Sequence, residues 1–199
     1  MSSYKSVTLG AATVSHGNTK LTDVPNVSLL PIASCPKDAP CAADCYDKKV
    51  CRMYPTVKAA RQRNWKAART NPGAYFGGIR EYLAKYQPEY FRWHVGGDIP
   101  SQDYYRQMCA IARENPDTHF LAFTKNHGLD FRGRPGNLNI VLSMWPGWGD
   151  SRKKLPRAWM QDGTETRIPD HAIKCSGSCE HCGICWHLQS GQDVWFVKH

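Results

Sequence analysis

The sequence predicts an α/β fold: a partial (β/α) barrel with mostly parallel strands and a C-terminal cysteine-rich metal-binding segment. Short apolar runs typical of strands alternate with segments of helical spacing along the chain. One of these runs, Leu138 to Trp145, is apolar almost throughout, as expected of a parallel strand covered on both faces. In addition, eight of the nine cysteines fall into two groups, one near each end of the chain.

The length and composition predict one core. A chain of 199 residues with 41% hydrophobic content suffices for a single domain with a small appended module. We expect residues 1–145 to form the partial barrel with an N-terminal cysteine loop. Residues 146–199 should form a connector and a C-terminal cysteine-rich segment packed on the same domain.

Hydropathy predicts where in the cell the protein is located, and charge predicts which partners it can bind. No early apolar stretch is long enough for a signal peptide, and no later one reaches membrane-spanning length, so we expect a cytoplasmic protein with no membrane association. In a reducing cytoplasm, closely spaced cysteines indicate metal ligation rather than disulfides. The formal net charge of +9 indicates an anionic partner, either a small molecule or nucleic acid. The oligomeric state is left open.

The first half of the chain begins with a Ser/Thr/Gly-rich stretch over residues 1–25 that has no helical period. Val27 to Ile32 reads as a short buried strand that leads into the first cysteine group. Residues 56–70 predict a helix with a strongly basic surface, and residues 73–86 predict a second helix that ends before Pro88.

The second half continues the alternation. Tyr90 to Val95 predicts a strand, a glycine turn follows it, and Pro100-Ser101-Gln102-Asp103 marks the start of a helix that ends at Asn115-Pro116. The remaining predicted elements are strands at His119 to Thr124 and Leu138 to Trp145, a connection over residues 146–170 with a short helix at Arg157 to Gln161, and a final strand at Asp193 to Lys198.

The front cysteine group lies on the loop after the first predicted buried strand. Its spacing matches no common zinc-finger pattern. Because ligands of α/β sheets bind at the carboxyl ends of strands, this loop and the turn Gly96-Gly97-Asp98 after the next strand should lie side by side. The candidate metal ligands of this group are Cys35, Cys41, Cys45 and Cys51.

Several polar residues near these strand ends are candidates for a pocket. Arg92 and His94 alternate on a strand and should share one face, either in a structural polar network or as groups that support the metal site. We assign them, with Asp98, as candidate catalytic residues. The candidate cofactor-binding residues are Gly96, Gly97, Asp98, Lys125 and Ser143.

The rear cysteine group packs four thiols into eleven residues. Its last three are separated by two-residue gaps, a close triple typical of ferredoxin loops that hold a [4Fe-4S] cluster. A structural zinc site with four cysteine ligands is the competing interpretation, and a single cofactor shared with the front group is a third. The candidate ligands are Cys175, Cys179, Cys182 and Cys185.

The front loop and the glycine turn resemble the core of radical S-adenosylmethionine (SAM) enzymes. The resemblance is carried by Cys41-Ala-Ala-Asp-Cys45-Tyr46 and by Gly96-Gly97-Asp98-Ile99-Pro100. It implies a [4Fe-4S] cluster with one open iron, and a turn that offers backbone groups and a carboxylate to the amino end of SAM. The third cluster ligand would be either Cys51 or Cys35.

A closer resemblance covers most of the chain. Its main motifs are Ser34-Cys35-Pro36, the run Phe91 to Asp98, Phe123-Thr124-Lys125 and the terminal Cys-x3-Cys-x2-Cys-x2-Cys-Trp. These resemble the bacteriophage "gene product eighty-eight" family of small phage-borne proteins. The resemblance implies a phage source and a location in the cytoplasm of the host cell.

Two functions follow from these observations. The first is an iron-sulfur protein with one or two [4Fe-4S] clusters, related to radical SAM enzymes, that performs redox or radical chemistry at the strand carboxyl ends; it would be an oxidoreductase or a lyase. The alternative is a zinc-stapled basic protein that binds nucleic acid or a host factor. The basic helix over residues 56–70 is either a solvated face or the docking surface of that alternative.

Overall fold

One nine-stranded sheet organises the computed structural model, which describes residues 5–16, 20–148, 154–164 and 167–198. The strand order is β1-β2-β3-β4-β5-β6-β7-β9-β8; the pairs that join β1, β2 and β3 are antiparallel and all others are parallel. Among the described residues no pair joins the edge strands β1 and β8 to each other. The predicted α/β class with mostly parallel strands is confirmed. The strands are β1 Ser6–Leu9, β2 Ala12–Ser15, β3 Asn26–Val27, β4 Tyr90–Trp93, β5 His119–Thr124, β6 Leu138–Met144, β7 Arg157–Gln161, β8 Ile173–Lys174 and β9 Asp193–Val197.

The longer helices begin where the sequence supplies start signals. Proline occupies the first position of two of them, where its missing N–H costs no helical hydrogen bond. The side chain of Asn71 accepts a bond from the Ala74 N–H at 3.1 Å, and Ser101 caps the next helix through the Tyr104 N–H at 3.2 Å. The helices are α1 Tyr46–Met53, α2 Pro55–Thr70, α3 Pro72–Tyr86, α4 Gln102–Glu114, α5 Cys179–Cys182 and α6 Ile184–His187.

The two faces of the sheet bury different partners. Side chains such as Phe91 and Trp93 of β4 point to the face that α3 and α4 cover, and form the larger core. Leu121 and Val141 point to the opposite face, where they pack with Trp186 of the cysteine-rich segment. The C-terminal segment therefore covers the face that the long helices leave free.

Several expectations for individual elements were wrong or incomplete. The predicted strand at Val27 to Ile32 is limited to β3, because beyond it the chain turns and Ile32 adopts a left-handed backbone with φ of 67°. The predicted helix at Arg157 to Gln161 is instead β7, which lies between β6 and β9 with Trp159 and its neighbours on alternating faces. The Ser/Thr/Gly-rich start contains a hairpin, β1 and β2, which turns at Gly10 with φ of 52°.

Candidate metal centres

The front cysteine loop and the glycine turn lie at the carboxyl edge of the parallel strands, as expected. The loop follows β3 and the turn follows β4, and the two are tied together by bonds between their polar groups. The Leu29 N–H donates to the carbonyl of Gly96 at 3.0 Å, and the Asp98 N–H donates to the Ser34 hydroxyl at 3.4 Å. Lys125 follows β5 at the same edge.

Three of the four front cysteines lie within electrostatic reach of one another. Burial raises the pKa of the Cys35 thiol to about 12, and the charges of Asp98 and Cys41 act in the same direction. Burial also raises the pKa of Cys41, which senses Cys45 in addition to Asp98. Lys125 lowers the pKa of both Cys35 and Cys41. A cation at this edge is therefore placed to favour the thiolate forms, which are the forms that bind metal.

Cys51 has a different environment from the other front cysteines. It is buried on α1, where its sulfur accepts a hydrogen bond from Arg61 at 3.3 Å. The same guanidinium pairs with the buried carboxylate of Asp47 at 2.6 Å. Since neither Cys35 nor Cys41 senses it electrostatically, the structure groups Cys51 with a buried ion pair rather than with the front thiols.

The two turn glycines make room for protein atoms. A Cβ at Gly96 would lie 2.0 Å from Oδ2 of Asp47, and one at Gly97 would lie 2.4 Å from the hydroxyl of Ser34. Gly97 also has φ of 80°, which disfavours any other residue. These glycines therefore allow the turn to pack closely on α1 and on the front loop. The same protein atoms fill the space beside the glycines in which a ligand would have to lie.

Asp98 is a buried link between two strand ends. Its carboxylate, in a residue only 4% exposed, accepts bonds from the Ile99 N–H at 2.7 Å, the Thr124 hydroxyl at 2.6 Å and the Lys125 N–H at 2.8 Å. Burial raises the pKa of this carboxyl while these three donors oppose the rise. With its oxygens engaged in this way, Asp98 holds the turn after β4 to the end of β5.

Arg92 and His94 do not share a face, contrary to expectation. His94 has a left-handed backbone with φ of 57°, which reverses the alternation of β4. Its ring therefore packs beside Trp93 and Tyr104, whereas the guanidinium of Arg92 lies 4.2 Å above the ring of Phe123 on the opposite face. Both ring nitrogens of His94 are buried without a hydrogen-bond partner in the described structure, and burial lowers its pKa to about 3.

All four rear cysteines line one small cavity. It has a volume of about 30 Å³ and lies between β8, the two short helices and Val194 of β9. A second cavity of about 150 Å³ adjoins it, with Tyr90 and Trp186 in its wall. The four thiols that converge on the smaller cavity are Cys175, Cys179, Cys182 and Cys185.

Hydrogen bonds fix the rear segment to the sheet and to the loop before β3. The Cys179 N–H donates to the carbonyl of Lys20 at 2.7 Å, and the Cys175 N–H donates to that of Trp195 at 2.8 Å. The side-chain amide of Asn139, near the start of β6, donates to the carbonyl of Cys185 at 2.7 Å. The rear thiols therefore lie over the face of the sheet that the long helices leave free, where Cys179 and Cys185 pack with Phe123 and Trp186.

One buried cation faces the rear thiols. Arg92 lies close enough to Cys179 and Cys185 to lower the pKa of both thiols, although burial raises them and brings that of Cys185 to about 12. The Nε–H of Arg92 is buried and donates to no partner among the described residues. A site made of four thiolates carries excess negative charge, which a buried guanidinium offsets.

The thiols are not yet in ligating positions. Within the described ranges, no group of three or more His, Cys, Asp or Glu side chains is close enough to hold a metal ion. Each of the two short helices that carry the rear thiols has four residues, and Gly183 joins them with φ of 63°. Ligation at either group would therefore require side chains or short segments to rearrange around the metal, as is common when metal binding and local folding are coupled.

The remaining predicted pocket residue, Ser143, is buried on β6, where its carbonyl lies 3.1 Å from Nε2 of His127. Sequence reasoning missed the pair of Asp47 and Arg61, although an aspartate that directly follows a cysteine loop in a basic stretch was the available signal. It also missed Asp193, which is buried and binds Arg157 through two hydrogen bonds of 2.6 and 2.8 Å.

These features define a class: an α/β protein with a mostly parallel sheet, one cysteine group at the carboxyl ends of its strands and another on the face opposite to the long helices. The family model described as Gene product 88 matches residues 5–188, and the chain belongs to this family. It is 25% identical over 189 aligned residues to the Gene 88 protein of Mycobacterium phage L5, covering 76% of this chain and 77% of that protein. These matches support the predicted phage source; no solved structure matches. Of the helices described, none is both long and apolar enough to span a bilayer.

Proposed function

We propose that this phage protein is an iron-sulfur protein in which Cys175, Cys179, Cys182 and Cys185 hold a [4Fe-4S] cluster. The observation that carries the proposal is that all four thiols line one cavity. Their gaps of three, two and two residues place consecutive thiols on a short loop, as in ferredoxin-type sites. Such a cluster, when bound, supplies one-electron transfer.

Groups of this chain fit the needs of that site. Arg92 brings a buried positive charge to Cys179 and Cys185. Trp186 is buried in one cluster with Leu121 of β5, Val141 of β6 and Val194 of β9, and helps to exclude water from the thiols. The sheet would curve around this segment as a partial barrel, with the cluster on its inner face.

A second site is supported at the carboxyl edge of the parallel strands. Cys35, Cys41 and Cys45 interact electrostatically in series, beside Lys125 and Asp98. Three thiolates leave one coordination position open, and the carboxyl edge of a parallel sheet is where α/β proteins place their chemistry. We assign the front trio as the reactive site and the rear group as an auxiliary cluster. We do not extend the proposal to SAM, because the space beside Gly96 and Gly97 is filled and Asp98 is committed to three donors.

Anaerobic purification followed by reconstitution with iron and sulfide tests the proposal. We expect a brown protein with acid-labile sulfide and a paramagnetic signal after reduction by dithionite. The variant Cys182→Ser should lose the rear share of the iron, and Cys41→Ser should lose the front share. A colourless protein that retains stoichiometric zinc and takes up no iron would overturn the iron-sulfur assignment in favour of a zinc staple.

A further inference from the structure

The positive charge of this protein is concentrated in one short part of the chain. Residues 46–70 contain eight Lys or Arg and a single acidic residue, so this stretch contributes +7 of the formal net charge of +9. The one acid, Asp47, is buried and paired with Arg61. No Asp or Glu follows until Glu81, so the exposed surface of α1 and α2 is positive without interruption.

The exposed half of α2 has a clear chemical character. Its cations lie on the side of the helix opposite to the buried residues Val57, Ala60 and Asn64, and the positions between them are small or polar. We call this surface the basic helix face and define it by Lys58, Arg63, Lys66 and Arg69 of α2, together with Lys48, Lys49 and Arg52 of α1.

The basic helix face differs from other exposed cations of the molecule. Elsewhere, exposed arginines pair with carboxylates, as in Arg80 with Glu114, Arg106 with Asp103 and Arg132 with Asp130. In the described part of the chain, none of the ion pairs involves a residue of the basic helix face. Unneutralised charges held in a row repel one another, and a polyanion removes that cost.

We propose that the basic helix face binds the sugar-phosphate backbone of nucleic acid without reading its sequence. The 16 residues of α2 span about 24 Å, enough for several successive phosphates. An acidic protein would instead need a broad apolar centre to anchor an interface, whereas the large exposed apolar side chains of α1 and α2 are Tyr46, Met53 and Tyr54, and none lies among the α2 cations. At its amino end Tyr54, 55% exposed, presents an aromatic ring on which an unpaired base can stack.

This inference is independent of the metal, so binding is tested on protein whose metal content is measured separately. The probes are a fluorescent 20-nucleotide single-stranded DNA, the duplex of the same sequence and a poly-glutamate peptide. The test variant carries Lys58→Glu, Lys66→Glu and Arg69→Glu. The matched control carries Lys5→Glu, Lys85→Glu and Lys154→Glu, which are also exposed, and it changes the net charge by the same amount.

We expect DNA to bind with an affinity that falls steeply with salt. The test variant should lose at least about tenfold in affinity at low salt, and its salt slope for single strands should be shallower by about 2. The control should stay within about threefold of the parent. Equal losses in the two variants, or poly-glutamate binding as tight as DNA binding, would overturn the proposal. Unchanged circular dichroism and metal content in both variants verify that folding and the metal sites are intact.

Discussion

The front edge of the sheet and the rear segment on its face carry similar numbers of thiols but are built differently. The front edge rests on buried polar contacts between protein groups: Arg61 with Asp47, and Asp98 with Thr124 and the Lys125 N–H. The rear segment rests on a few backbone bonds and two helices of four residues each, over a cavity lined by its own thiols. We therefore expect the front edge to hold its shape without a ligand and the rear segment to depend on one for its packing.

Removal of one rear ligand is the most severe test of this comparison. We expect Cys185→Ser to lose the rear metal and to lower the free energy of unfolding by at least about 3 kcal/mol, because metal binding there stabilises the fold directly. For a chain of this size the melting temperature should fall by about 6–12 °C. Cys41→Ser should lose front metal yet melt within about 2 °C of the parent.

Metal analysis and thermal unfolding by circular dichroism measure both effects. Cys51→Ser serves as the control, since the Cys51 sulfur contacts Arg61 and its replacement should leave the metal content unchanged. If instead Cys41→Ser destabilises the protein as much as Cys185→Ser does, then the front edge depends on its metal as strongly as the rear segment does, and the proposed difference is wrong.

The packing of the front edge is tested at Gly96. In Gly96→Ala the new methyl group would meet Oδ2 of Asp47 at 2.0 Å and Nε of Arg61 at 2.9 Å, and would disturb a buried ion pair. We expect a loss of about 3 kcal/mol in urea unfolding. Gly77→Ala, on an exposed helical position with no atom within 4 Å, should instead stabilise by up to about 1 kcal/mol. Equal effects of the two substitutions would contradict the assigned contacts.

The front edge also contains a histidine that should make it sensitive to acid. Burial lowers the pKa of His94 to about 3, from an ordinary value of 6.5. Below pH 6.5 the unfolded chain binds a proton that the folded one does not, so the stability due to this group is present above pH 6.5 and falls by about 1.4 kcal/mol per pH unit below it.

We therefore compare urea unfolding of the parent with that of His94→Asn, since asparagine tolerates the left-handed backbone at this position. The stability difference in favour of the parent should shrink by about 2 kcal/mol between pH 6.5 and pH 5. A difference that stays constant over this range would show that His94 takes up its proton as readily in the folded protein as in the unfolded chain, and would contradict the lowered pKa.

Substitution of Arg92 has the smallest expected effect. It tests how much the positive charge of this side chain stabilises metal at the rear site. In Arg92→Gln the guanidinium near Cys179 and Cys185 is lost, so a negatively charged cluster becomes harder to reduce and releases metal more readily. We expect chelators to remove the rear metal about tenfold more completely, and the midpoint potential to fall. Arg92→Lys should retain most of both properties. Front-site metal that responds equally to Arg92→Gln would contradict the placement of Arg92 at the rear.

Local signals in the sequence predicted most of the elements. Helices α2, α3 and α4 and strands β5 and β6 lie within one or two residues of their predicted bounds, because proline, asparagine and serine start signals and apolar periods act over short distances. β7 was missed because Pro156 before it and Asp162-Gly163 after it can bound either a short helix or a strand. Its place between β6 and β9 decides its conformation. β1 and β2 were missed because their polar side chains weaken the sequence signal of a strand. The hairpin they form is covered by α3.

By itself the sequence determined the α/β class, the two cysteine groups and the concentration of charge on α1 and α2, since each depends on residue type and near spacing. Only the tertiary structure decided that Cys51 belongs to the Asp47 and Arg61 pair, that Gly96 makes room for that pair, and that Arg92 serves the rear thiols. These assignments depend on which residues distant in sequence meet across the sheet. A left-handed backbone at one residue, His94, was enough to send two neighbouring polar side chains to opposite faces.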